Sequence, residues 1–120
     1  MDRRILETRL VDFSIRIIDL CQSCDFNEFT QHLSRQIVRS SSSSALNYGE
    51  AQSAESRADF AHKLSLVLKE LRETNINLII IEKSGICRQK EKIRDVLVES
   101  NELIAIFQKS VNTINKTRNK

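Results

Sequence analysis

The sequence predicts an all-α chain folded as an antiparallel up-down-up-down four-helix bundle. Proline is absent and glycine occurs only at Gly49 and Gly85 in 120 residues, so the main interrupters of helices are nearly missing. Apolar residues recur at steps of three and four through four long segments, and no stretch alternates with period two for long enough to make a strand. Short connections between such segments make sequential helices antiparallel neighbours. The helices are expected at roughly 3–21, 26–51, 57–84 and 88–116, in one domain spanning 1–120 with a short basic C-terminal tail. This length supports one modest core and is too short for two.

In the first segment, Leu6, Leu10, Phe13, Ile17 and Leu20 form one stripe, with Arg9, Asp12, Arg16 and Asp19 mostly outside it. Ile5, Val11, Ile15 and Ile18 widen that stripe beyond what one bundle interior consumes. Asp25 and Glu28 have capping-box spacing and predict a second helix starting near Phe26.

The second segment contains five consecutive serines, Ser40 to Ser44, which resemble a linker in composition. Their phase argues otherwise. At 100° per residue, Ile37, Ser40, Ser44, Tyr48 and Ala51 fall within about 60° of Leu33. The serines therefore continue an inward face, where small side chains let a neighbouring helix approach and hydroxyls bond backbone carbonyls one turn back.

Ser56-Arg57-Ala58-Asp59 predicts the start of the third helix, with Ser56 as cap. Its stripe is Phe60, Leu64, Val67, Leu71, Asn75 and Leu78, flanked by Leu68 and Ile79; Lys83-Ser84-Gly85 ends it. The fourth helix carries Ile93, Val96, Leu97, Ser100, Leu103, Ile104, Phe107, Val111 and Ile114.

Net charge is +3, unevenly distributed. Residues 1–60 hold 7 basic and 9 acidic side chains, residues 61–120 hold 12 and 7. The final stretch, Lys109, Lys116, Arg118 and Lys120, contains no acid. Such a cluster suits the phosphates of nucleic acid, although basic residues at a helix C-terminus also simply favour the helix dipole. The few aromatics mostly occupy helix stripes, so base-stacking platforms are not expected. The N-terminal residues lack the apolar core of a signal peptide, and the longest strongly apolar run, Leu78 to Ile81, cannot span a bilayer. With three cysteines, an odd number, this predicts reduced thiols and a cytoplasmic location.

No catalytic constellation emerges. Cys21-x-x-Cys24 has no second close pair to complete a zinc site and no preceding strand for thioredoxin-like chemistry. Glu70 and Glu73 lack the Glu-x-x-His spacing of di-metal bundles. Gly-rich phosphate loops are absent. No cofactor or metal is expected. A polar network is expected instead, joining Asn47, Tyr48 and Glu50 of the second helix to Lys63, Glu70 and Thr74 of the third, with helix register as its role. A catalytic carboxylate is the sharper alternative, but no nucleophile accompanies it.

One stretch resembles a known family. Arg39, Ser40 to Ser44, Asn47-Tyr48, Glu50-Ala51, Ser56, Asp59-Phe60, Lys63-Leu64, Lys69-Glu70 and Glu73-Thr74 are similar to the pattern of the small bacterial four helix bundle proteins encoded in intervening sequences of large-subunit ribosomal RNA genes. The direct match spans 36 residues, Arg39 to Thr74. Relatives often carry an aromatic pair where this chain has Asn75-Ile76-Asn77. The resemblance implies a helical subunit without enzymatic activity that assembles into a ring, usually a homopentamer. It also extends to the accessory variability determinants of diversity-generating retroelements, basic scaffolds for RNA and reverse transcriptase. The expected function is therefore a non-enzymatic oligomeric scaffold that binds nucleic acid or a nucleoprotein partner such as a reverse transcriptase, with no membrane contact. A protein-binding adaptor ring that never touches nucleic acid is the alternative. Five chains would carry about +15 in total.

Overall fold

The computed structural model describes residues 2–118, the last by its backbone alone. Four helices, α1 (Arg3–Ser23), α2 (Glu28–Ala51), α3 (Arg57–Ser84) and α4 (Lys90–Arg118), follow one another in the expected order. Each packs on its sequential neighbour, and α4 closes the ring against α1. The α1/α4 seam is the sparsest, and the two diagonals make no substantial contact. The rod measures 50 × 22 × 20 Å.

The caps explain the boundaries. Asp2 accepts from the Arg4 amide, and Ser56 accepts from the Asp59 amide as expected. Gly85 ends α3 at φ 70°, a left-handed conformation that glycine adopts without steric cost. The second helix starts later than the Asp25–Glu28 spacing suggests. Asn27 caps it, accepting from the Phe29 and Thr30 amides, while Thr30 Oγ1 accepts from the Asn27 amide. Asp25 is engaged elsewhere: its carbonyl accepts from Thr30 and its carboxylate pairs with Arg88 at 3.2 Å. The α4 start also moves, from about residue 88 to Lys90, because Cys87 is buried and bonded to Cys24. Helix α4 runs on to Arg118, so the basic segment is helical as far as it is described.

Leu10, Phe13, Ile17, Ile37, Val67, Leu71, Leu78, Leu103 and Phe107 are fully buried at the centre. Tyr48 packs its ring edge-on against Phe107, centroids 5.4 Å apart. Two expected core positions differ. Ile79 lies on the exposed flank of α3, and Asn75 is half-buried, donating to Ser100 and Asn101 of α4.

The serine run is helix throughout. Ser40, Ser41 and Ser44 are completely buried. Ser41 was not expected there; it lies about 80° from Leu33 on the wheel. The hydroxyls bond carbonyls three residues back: Ser40 to Ile37, Ser41 to Val38 and Ser44 to Ser41. Every buried side-chain polar atom among the described residues has a partner. Replacing Ser44 by Leu should overpack this contact and cost about 1–3 kcal/mol, whereas the same change at half-buried Ser43 should cost less. Equal, negligible shifts in thermal unfolding at both positions would show that α2 does not depend on small residues there.

Candidate functional site

The six polar residues expected to form one network do not join into one. They fall into separate clusters along the α2/α3 seam. Lys63 Nζ donates to Glu50 at 2.7 Å near one end. Midway, Thr74 is fully buried, shares a 2.7 Å hydrogen bond with Ser40 and donates to the Glu70 carbonyl. Each hydroxyl has one proton and each also lies within reach of a carbonyl of its own helix, so either can donate in the bond between them. The Glu70 carboxylate turns outward to Arg39, which reaches Glu70 at 3.4 Å and Glu73 at 2.8 Å. Asn47 bonds back to the Ser43 carbonyl of its own helix. Tyr48 is buried against Phe107, and that burial pushes its phenol pKa up.

Sequence reasoning missed Ser40 and Arg39 as the partners. Ser40 was already on the inward face and Thr74 one position beside the α3 stripe. Their meeting depends on the relative register of two helices, which no single-helix periodicity encodes.

Burial raises the Glu70 pKa, and neighbouring Glu73 adds to the rise, while Arg39 opposes it. Glu70 and Glu73 are both held by one cation, Arg39. Among the described residues no group of three or more His, Cys, Asp or Glu is placed to hold a metal ion. No helix of the described chain is long and apolar enough to cross a membrane.

The basic residues lie elsewhere. Lys109 and Lys116 are exposed near the end of α4. Arg118 contributes its helical backbone only, and Lys120 lies outside the described residues. The antiparallel arrangement brings exposed Arg3, Arg4 and Arg57, from the starts of α1 and α3, to this same end. Arg57 and Lys109 flank one groove of about 600 Å³, floored by Leu6, Phe60 and Leu64. Arg9 bridges the sparse α1/α4 seam to Glu99 and Glu102, and these carboxylates raise its pKa further.

The apolar surface is as uneven. Val11, Ile15 and Ile18 recur at four and three along the outside of α1 and are 44%, 57% and 40% exposed. Ile76 and Ile80 repeat this on α3, and Leu46 stands out from α2.

A family model described as 23S rRNA-intervening sequence protein matches residues 7–109. The chain belongs to this family. The match covers parts of all four helices and most of the core described above. A crystal structure from Bacteroides thetaiotaomicron, described as a protein of unknown function from the S23 ribosomal protein family, is 31% identical. It covers 93% of this chain and 99% of its own, with a TM-score of 0.75. No curated protein matches the chain. The crystal structure shares the fold of this chain, and neither description names an enzymatic activity.

The Ser40–Thr74 contact is testable by a double-mutant cycle. Thr74→Val and Ser40→Ala should each destabilise the protein by about 1–2 kcal/mol, by breaking a buried hydrogen bond. The double variant should lose clearly less than the sum, because neither hydroxyl is then left behind. Additive losses in denaturant titrations would show that the two hydroxyls act independently.

Proposed function

We propose that the protein is a non-enzymatic oligomeric scaffold, built as a ring of identical subunits, that binds the phosphate backbone of nucleic acid in the cytoplasm. The observation that carries the reading is the gathering of Arg3, Arg4, Arg57, Lys109 and Lys116 at one end of the rod, all exposed. No ion pair among the described residues involves any of them. Three helix ends contribute, so the cluster is a product of the fold rather than of one basic stretch. Asp2, Glu7, Glu55 and Asp59 lie at the same end and offset part of the charge. Repetition around a ring would restore a strong positive field. The α1 stripe Val11–Ile15–Ile18 supports the subunit contact, since such a face gains by association with another copy. The family description, with its link to a ribosomal RNA intervening sequence, agrees with a nucleic-acid or nucleoprotein partner, of which a reverse transcriptase is one kind.

Light scattering coupled to gel filtration should give a mass well above the 13.8 kDa of one chain. Val11→Glu with Ile15→Glu should reduce it to the monomer while leaving helical content unchanged. A monomer for the unmodified protein at micromolar concentration would refute the ring.

Fluorescence anisotropy with a structured RNA and a duplex DNA should show sequence-tolerant binding that weakens steeply with salt. The Arg57→Gln, Lys109→Gln variant should bind less tightly and flatten the salt slope by about two, roughly one for each lost phosphate contact. Deleting residues 116–120 should act in the same direction with the fold intact. No binding at low salt would overturn the nucleic-acid reading and leave an adaptor ring for protein partners.

A further inference from the structure

Three reduced thiols were expected, and the structure corrects this at two of them. Cys24 and Cys87 form a disulfide across 63 residues of sequence, and Cys21 is the free thiol. Spacing could not reveal the pair, because Cys24 ends α1 and Cys87 lies between α3 and α4. These two connections meet only because both close the same end of the bundle.

The two sulfurs have different surroundings. Cys87 is 3% exposed and, with Cys24, lines a very small cavity among Leu20, Leu33, Ile81 and Ile86. Cys24 is half-buried and also lines an open groove of about 630 Å³ between the end of α1 and the start of α2. Cys87 does not line that groove. Exposed Arg35 stands on its wall, and Asp25, the acid nearest in sequence, is paired with Arg88.

We propose that Cys24 is a thiol-exchange site, at which a small external thiol such as glutathione opens the Cys24–Cys87 bond. The thiolate attacks Cys24 Sγ from the groove. A mixed disulfide forms at Cys24, the Cys24–Cys87 bond breaks, and Cys87 leaves as a thiolate that takes a proton from water. A second external thiolate then attacks the external sulfur of the mixed disulfide. It releases the small-molecule disulfide and leaves Cys24 reduced, so the external thiols lose the two electrons that the protein gains. Access directs the attack, since exchange rates follow approach to the sulfur. Cys21 lines the same groove without entering the step, and burial pushes its thiol pKa up. Opening the bond uncouples the α1–α2 connection, with its exposed Phe26, from the α3–α4 connection. Disulfides that meet a reducing thiol pool are characteristically of this reversible kind.

The test uses the full chain purified without reductant. Denaturation and alkylation should label one cysteine, rising to three after reduction with dithiothreitol. The native protein is then mixed with reduced glutathione, quenched in acid, alkylated and mapped by mass spectrometry. The expected adduct is on Cys24, with the alkyl label on Cys87, and the same pattern in Cys21→Ser. Circular dichroism should retain the helical signal throughout, while the melting temperature falls on reduction. Three free thiols at the outset would overturn the proposal. So would an adduct on Cys87 or Cys21, or exchange only after unfolding.

Discussion

The architecture depends on how closely α2 approaches its two neighbours. Ser40, Ser41 and Ser44 present side chains barely larger than alanine to α1 and α3, and their hydroxyls are satisfied by their own helix. Burying a hydroxyl without a partner would cost a few kcal/mol. The backbone carbonyls one turn back remove that cost locally, so the contact needs no partner on the opposing helix. Ser40 alone reaches across, to Thr74. That bond is directional and joins α2 to α3 at one defined pair of positions.

The charged pairs follow from the same register. With Ser40 opposite Thr74, Arg39 falls beside Glu70 and Glu73, and Glu50 beside Lys63. These pairs are exposed at one or both partners, so they contribute little individually. They are better understood as consequences of the packing than as its cause. The α1/α4 seam has no equivalent small-residue face. It is the least extensive contact of the bundle, and Arg9 spans it with two carboxylates.

The two ends of the rod have different chemistry. One joins the α1–α2 and α3–α4 connections through a disulfide beside an open groove. The other gathers cations from three helix ends around an apolar-floored groove. The sides carry isoleucine and valine at helical spacing.

Much of this was legible in the residues. The absence of proline, the four stripes, Ser56 and Gly85 determined the number, order and most limits of the helices, because these depend on interactions within about one turn of chain. The phase of Ser40 and Ser44 sufficed to show that they continue a helix and face inward. Periodicity could not show that the six expected network residues separate into distinct clusters, that Thr74 meets Ser40, or that Asn27 displaces Asp25 as the cap. Nor could it bring Arg3, Arg4 and Arg57 to the basic end of α4, or join Cys24 to Cys87. Each of these depends on the rotation and axial offset of one helix against another, quantities set by side-chain packing between segments far apart in sequence. The sequence by itself determined what each helix is; the tertiary structure decided which residues meet.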